Sequence, residues 1–383
     1  MEHIENINLP RLKWCCSDFG VSMEDLFAEL KISDRTLSAM MAGEAALSFP
    51  QLRRIAAFFG RGVLFFLEPG PASPSGVHSP QFRSLANQKP ELSGKMKKLI
   101  ERAERQREVY LGLLEDLGES ERQRFTAPAV SIKDIPKAAE AARTWLKLGA
   151  KNSFDSYRKA CEACGVLVFR SNGYAGEWQF PKADGILGFT LYDKHCPVIV
   201  IKKESAHAQQ SFTLMHELGH ILLHKDSSID DAGDFGDHRG REQEANLFAG
   251  LVLVPDEFLA KIRDDEKPLE ASQFDSWLAP FCNTWGVSCE VILRRLLDSG
   301  RLSQDEYRDY RAWRQSLPAA EKESDGGTRH RHHEPRHIFG DAYVRTVLDA
   351  LSSRHITLSK ACGYLDHIKI QDVHKLEKVY APT

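Results

Sequence analysis

Residues 1–70 carry the apolar spacing of a small bundle of short helices. Leucines and other apolar residues recur every three or four positions, at Leu26, Leu30, Leu37, Leu52, Ile55 and Phe59. Ser22 and Ser33 precede two of these runs and are suited to cap helix N-termini. The segment Val21–Gly43 is therefore predicted to form a helix-turn-helix-like pair.

A strongly charged helix is predicted next. The segment Pro69–Pro80 is rich in proline, glycine and serine, which indicates a domain boundary. Beyond it, Glu91–Leu117 keeps apolar residues on one side of a helical pattern. We interpret this stretch as a connecting helix, and as a candidate dimerisation element.

From Ala127 the pattern predicts a mixture of helices and strands. Helices are expected at Lys137–Leu146 and Phe154–Cys164. Short β-branched or aromatic runs predict three strands, at Val166–Arg170, Ile186–Tyr192 and Pro197–Ile201. The pattern is helical again from Ala206 nearly to Leu297.

These elements predict an α+β fold, mostly helical, with a small sheet packed on an active-site helix. The predicted domains are a helix-turn-helix-like module (1–70), a linker with the charged helix (71–126) and a catalytic domain with a helical extension (127–318). A polar, His-rich linker (319–337) and a small helical C-terminal domain (338–383) complete the chain.

Composition is that of an ordinary globular protein. The 383 residues are 42% apolar and 27% charged, with a net charge of −3, so neither nucleic acid nor an anionic membrane is indicated as the main partner. We expect no targeting signal and no membrane span. The eight cysteines are scattered rather than arranged as a disulfide framework, which favours the cytoplasm.

The segment Phe212–His224 contains the most specific chemical motif, His216-Glu217-Leu218-Gly219-His220. Two histidines four residues apart lie on one face of a helix and can bind one zinc ion. Glu217 is placed to act as a base towards a water at that ion. The flanking residues are apolar, so the polar face would be buried, which a chance match does not explain.

A second helix, Arg241–Pro255, offers a third ligand. We assign Glu242 as the carboxylate ligand, with Glu244, on nearly the opposite side of the helix, as the open alternative. Asn246 shares the face of Glu242 and is predicted to accept a hydrogen bond from a ligand histidine. The small Ala245 and Ala249 permit close packing against the first helix.

On these residues the chain resembles the ImmA/IrrE family of metallopeptidases, in which a helix-turn-helix-like module is joined to a small gluzincin domain. The resemblance covers Pro197–Ile201, Phe212–His224 and Glu242–Ala249, with Pro255. In gluzincins the third ligand opens a Glu-x-x-x-Asp/Asn pattern, which also favours Glu242. The family implies zinc and a protein substrate, typically a transcriptional repressor whose cleavage switches on stress or mobile-element genes.

The sequence therefore predicts a zinc-dependent endopeptidase that cleaves a regulatory protein, with a DNA-binding repressor as the expected partner. The alternative is a helix-turn-helix transcription regulator or antirepressor in which the metal domain only binds or senses. Glu217 favours the enzyme, because a purely structural site needs no base.

Direct DNA binding by the N-terminal module is left open but is not favoured. The recognition-like helix Arg35–Met41 offers few groups to bases or phosphates, and acidic Asp34 and Glu44 flank it. Lysine and arginine contacts to phosphates supply most non-specific affinity. A helical domain that binds protein or regulates access is preferred.

Four further features are assigned less specific roles. His224 lies about 80° from His216 around the helix, which is awkward for one tetrahedral ion.

Cys161 and Cys164 are expected to be core thiols rather than half a zinc knuckle. The histidines at 330, 332, 333 and 337 are expected in a solvated linker, and the acidic loop Asp226–Asp237 is either a flap over the cleft or a surface excursion.

Overall fold

The computed structural model describes residues 3–72, 79, 82, 85, 88–89, 92–121, 124–172, 176–181, 184–204, 206–231, 240–317 and 331–381. The helices before the sheet are α1 (Leu9–Phe19), α2 (Met23–Glu29), α3 (Asp34–Met41), α4 (Phe49–Phe59), α5 (Gly94–Asp116), α6 (Ile135–Trp145) and α7 (Phe154–Ala163). The strands are β1 (Leu167–Arg170), β2 (Ile186–Leu191), β3 (Val198–Ile201) and β4 (Ser228–Asp231).

The helices after β3 are α8 (His207–Gly219), α9 (Gly240–Leu253), α10 (Asp256–Leu259), α11 (Phe274–Trp285), α12 (Cys289–Asp298), α13 (Gln304–Ser316), α14 (Glu334–Ser352), α15 (Leu358–Tyr364) and α16 (Ile370–Tyr380). The predicted α+β, mostly helical fold is confirmed. In the described residues, no helix combines the length and the apolar character that crossing a bilayer requires.

The chain divides into two compact units. One comprises Met1–Arg102 with Phe180–Asp184, and the other comprises Ala103–Gln179 with Gly185–Thr383. The predicted domain boundaries near residues 70, 126, 318 and 337 stay predictions.

The first unit is a bundle of short helices, as the leucine spacing predicts. Ser22 caps α2 by accepting a hydrogen bond from the amide of Asp25, and Ser33 caps α3 by accepting one from Thr36. These caps satisfy amides that a helix start leaves without intrahelical partners. The core of the unit is built of apolar side chains, with Leu12, Leu26, Phe27, Leu52 and Phe59 among those buried.

The second unit contains a mixed sheet in the order β1-β3-β2-β4. β1 and β3 pair in parallel, whereas β2 is antiparallel to both β3 and β4. All residues of β1, β2 and β3 are buried. A run such as Val198–Ile201 is apolar at every position because both faces of its strand are covered.

The strand β4 corrects the prediction of continuous helix from Ala206 to Leu297. Ser228–Asp231 falls in the stretch predicted as an acidic loop, of which residues 232–237 lie outside the described residues. The backbone of β4 completes the hydrogen bonding of β2, and Ile229 is buried. Pairing with a strand that is distant in sequence therefore makes this segment a strand, although its local composition is polar.

The polar linker predicted for residues 319–337 is also corrected in part. Residues 319–330 lie outside the described residues, but Arg331–His333 form a 3-10 turn and α14 begins at Glu334. His337, expected in solvent, is largely buried with Nδ1 2.5 Å from Nη2 of Arg170. Burial and the neighbouring Arg170 charge lower the pKa of His337 to about 3, so it stays neutral.

A buried ion pair on α7 holds the start of α14 in place. Arg158 donates to the carbonyl oxygens of His337 and Ile338, at 2.8 and 2.9 Å. Glu162 accepts hydrogen bonds from the amides of Asp341 and Ala342. Gly340 has φ 81°, and a Cβ there would lie 1.7 Å from Oε1 of Glu162. This position therefore requires glycine.

We predict that Gly340→Ala lowers the free energy of unfolding by about 1–3 kcal/mol from backbone strain alone, with the clash against Glu162 adding to the loss. Chemical denaturation measures the change. The matched control is Gly112→Ala in the exposed interior of α5, where a Cβ meets nothing within 4 Å and alanine should stabilise by about 1 kcal/mol. Equal stability of the two variants would contradict the assignment.

Candidate metal centre

The motif His216-Glu217-Leu218-Gly219-His220 closes α8 and enters a wider turn. The helix is regular to Gly219, and His220–His224 form a π-type turn that ends at Lys225 in a left-handed conformation. Leu214, Met215 and Leu218 bury the apolar side of α8 in the core. His216 and Glu217 are fully buried and His220 nearly so. The polar face is therefore enclosed, as the sequence predicts.

α9 approaches α8 closely at the end of the motif. A Cβ on Gly219 would lie 3.3 Å from Cα of Ala245 and 3.1 Å from the ring of Phe248. Ala245 and Ala249 are fully buried, so the predicted close packing of the two helices is confirmed. This packing brings a carboxylate of α9 to the histidines of α8.

The structure brings His216, His220 and Glu242 together and adds Asp230. The four side chains each offer a ligand atom, and these atoms lie within 4.8 Å of one another. From Nε2 of His216, the distances are 3.1 Å to Nε2 of His220, 3.2 Å to Oε2 of Glu242 and 3.3 Å to Oδ2 of Asp230. Nε2 of His220 lies 3.7 Å from Oε2 of Glu242 and 3.5 Å from Oδ2 of Asp230.

Hydrogen bonding alone does not account for this arrangement. An imidazole Nε2 carries either one N–H or one lone pair, and it can satisfy one in-line partner rather than three. In the described part of the chain, Oδ2 of Asp230 and Oε2 of Glu242 are buried without a hydrogen bond of normal geometry. Four ligands at about 2.0–2.2 Å from a tetrahedral ion lie about 3.3–3.6 Å apart. The distances observed between the ligand atoms run from 3.1 to 3.7 Å and so include this range.

The charges of the cluster favour cation binding. Burial alone would lower the pKa of His216, but Asp230 and Glu242 beside it raise that pKa to about 9. Burial alone would raise the pKa of Glu242, but the neighbouring imidazoles of His216 and His220 lower that pKa below its usual range. Carboxylates kept ionised beside two imidazoles are a donor set suited to a transition metal.

Glu217 lies against the sheet rather than against solvent. Its Oε2 accepts hydrogen bonds from the hydroxyl groups of Thr190, at 2.6 Å, and Ser228, at 3.1 Å. A Cβ on Gly188 would lie 2.5 Å from Oε1 of Glu217, so β2 must carry glycine at this point. Burial, together with the charge of Asp230, raises the pKa of Glu217 well above its usual value.

Glu244 and His224 form a contact that the sequence analysis did not anticipate. Glu244 Oε2 lies 3.0 Å from Nε2 of His224, and Nδ1 of His224 lies 2.9 Å from Nδ1 of His220. Neither residue belongs to the group of converging ligand atoms. They instead support the outer nitrogen of His220, as groups around metal-binding histidines commonly do. The predicted role of Asn246 stays a prediction.

Asp230 is the residue of the cluster that sequence reasoning missed. The sequence predicts an acidic loop there, because one isoleucine between Ser227-Ser228 and Asp230-Asp231 is too short a pattern to identify a strand. The only local signal is the alternation of Ser228, Ile229 and Asp230. Because β4 pairs with β2, Ile229 is buried in an apolar contact and Asp230 places its carboxylate at the metal cluster.

The two cysteines of α7 show no metal-binding arrangement in the described residues. Cys161 is fully buried in the core, which confirms its prediction as a core thiol, and Cys164 is half-buried. All eight cysteines are free thiols.

A His-Glu-x-x-His helix packed on a small mixed sheet, with a carboxylate from the following helix, defines the class of metallopeptidase domains. Comparison with known proteins agrees with this class. Residues 161–297 match the family model of the IrrE N-terminal-like domain, a peptidase family. This part of the chain is therefore similar to the IrrE N-terminal-like domain.

A relative comes from a phage. "Uncharacterized immunity region protein 2" of Bacillus phage phi105 is 32% identical over 93 residues, which is 22% of this chain and 55% of the relative. The chain thus spans about half the length of the curated relative it matches. The resemblance to the ImmA/IrrE type is confirmed for this domain.

We predict that Glu242→Gln weakens metal binding by more than about 100-fold, since changes outside the ligand set alone cost about 10–100-fold. Metal content after dialysis, with affinities from competition against a chromophoric chelator, gives the measurement. Glu244→Gln is the matched control on the same helix and should lose less. The opposite order would make Glu244 the ligand.

Proposed function

We propose that this chain is a zinc-dependent endopeptidase that cleaves a regulatory protein. The observation that carries the proposal is the burial of Glu217 beside a convergent set of two imidazoles and carboxylates. Burying a glutamate costs free energy of folding. A glutamate buried beside possible metal ligands therefore indicates a functional requirement. The peptidase family of residues 161–297 supports the same reaction class.

His216, His220 and Glu242 are the residues that would hold zinc. When bound, zinc polarises the scissile carbonyl and makes a water a stronger acid. Glu217 then takes the proton of that water and passes it to the leaving amine. Its raised pKa suits the first step, because a carboxylate of higher pKa is a stronger base towards the water.

Thr190 and Ser228 position the carboxylate of Glu217. Both donate to Oε2, which leaves Oε1, buried and without a hydrogen bond in the described part of the chain, as the oxygen available to a water. The hydroxyl groups come from β2 and β4, so the sheet orients the base while α8 carries it. Glu217 thus acts with one oxygen oriented and one free to react.

We further propose that the substrate is a DNA-binding repressor whose cleavage relieves repression in a stress or mobile-element response in the cytoplasm. The phage relative, described by its name as an immunity region protein, supports a setting in which repressors are controlled. The N-terminal helices offer a surface for a protein partner. Arg35 and Ser38 of α3 are exposed, but so are Asp34 and Glu44, so DNA remains the less favoured partner.

A regulator in which the metal domain only binds or senses is the second candidate. One observation favours it: Asp230 supplies a fourth ligand atom, and four protein ligands are typical of closed, structural sites. The buried, hydroxyl-oriented Glu217 favours the enzyme.

We predict that Glu217→Gln keeps zinc but cleaves the substrate about 10²–10⁴-fold more slowly, because the amide cannot take a proton. Co-expression with repressors encoded nearby, followed by detection of a cut product, identifies the substrate; purified proteins then give the rate. Glu140→Gln, at an exposed position of α6, is the matched control and should cleave like the wild type. Cleavage by Glu217→Gln at the parent rate would refute the mechanism.

A further inference from the structure

The position of Asp230 implies a control on access to the metal centre. Asp230 is 2% exposed, and its Oδ2 lies 3.3 and 3.5 Å from the two histidine Nε2 atoms. Oε2 of Glu242 approaches the same two atoms to 3.2 and 3.7 Å, a similar range. Asp230 therefore has the placement of a ligand and not that of a more distant supporting residue.

A tetrahedral site has room for four ligands. With His216, His220 and Glu242 in three places, the carboxylate of Asp230 would take the fourth, where a catalytic site keeps a water or substrate. A tetrahedral ion held by all four side chains would leave no position for the water that Glu217 must deprotonate.

The same strand also engages the base. Ser228, two residues before Asp230, donates a hydrogen bond to Glu217. Asp230 pairs in register with Gly188, whose missing side chain makes room for Glu217. One four-residue strand therefore reaches both the metal ligands and the base.

β4 is built so that it can be displaced. It lies at the edge of the sheet and, among the described residues, pairs with β2 alone; its register with β2 is irregular between Ile186 and Gly188. A four-residue strand makes few backbone hydrogen bonds to its neighbour, and an extended peptide can pair with a sheet edge in the same way. Removal of β4 would free the fourth ligand position and expose β2 to such a peptide.

We propose that Asp230 is a displaceable fourth metal ligand, and that β4 holds the peptidase closed until an extended protein segment takes its place on β2. This inference rests on the proposed metal site and adds its regulation. The occupant that opens the site is a peptide in extended conformation, paired antiparallel to β2 as β4 is.

The test uses the full-length protein loaded with Co²⁺, whose visible absorption reports its coordination. The probe is acetohydroxamate, a small anion that needs an accessible metal position. Asp230→Ala and Asp230→Asn should bind acetohydroxamate about tenfold or more tightly than the wild type. This ratio is expected if the site of the wild type is open about a tenth of the time, because the apparent affinity falls with the open fraction. Asp226→Asn, an exposed aspartate paired with Arg241, is the matched control and should behave as the wild type.

Equal affinity of the wild type and the Asp230 variants for acetohydroxamate would overturn the proposal. Complete loss of cobalt from both variants would overturn it too, because Asp230 would then be an indispensable ligand. A wild type that binds no cobalt at all would instead refute the metal site itself, and with it the proposed function.

A measurement on the wild type decides the matter even if the variants do not fold. Hydrogen exchange at the β4 amides that donate to β2 should become about tenfold faster or more when acetohydroxamate saturates the cobalt protein, since opening releases β4. Unchanged protection at saturation would show that the strand does not move, and the proposal would fail.

Discussion

The close approach of α8 and α9 is the constraint on which the metal centre depends. Gly219 and Ala245 have no side-chain bulk at the crossing, so the helices meet almost backbone to backbone. A larger residue at either position would push the helices apart and move Glu242 away from His220. The apolar faces of both helices hold this approach, because the same two helices carry much of the core of the second unit.

The sheet contributes polar groups to a site whose motif lies on a helix. β2 provides Thr190 and the space at Gly188, and β4 provides Ser228 and Asp230. The carboxylates of this site have hydroxyl groups or imidazoles as neighbours, which offset the cost of their burial. The outer contact of His220 with His224 and Glu244 extends this polar network to the protein surface.

The proposed activity and the proposed control use the same geometry. A base that needs a water and a carboxylate that occupies the place of that water cannot both act at once. The two functions considered for the metal domain, catalysis and sensing, therefore need not exclude one another. A closed site that opens on engagement of an extended segment would cleave only a protein that first displaces β4.

The sequence by itself determined the elements that depend on local chemistry. Leucine spacing and serine caps located the N-terminal helices, β-branched runs located β1, β2 and β3, and a five-residue motif located His216, Glu217 and His220. Spacing on a second helix pointed to Glu242, since residues four apart share a helix face.

Only the tertiary structure decided the rest. Asp230 belongs to the metal cluster because β2 offers a free edge, and nothing within the acidic stretch encodes that edge. His337 is largely buried because Arg158 and Glu162 fix α14 against β1, a contact between residues almost 180 positions apart. Local patterns specify which backbone conformation a segment prefers, whereas the burial of a charged side chain depends on partners that distant parts of the chain bring to it.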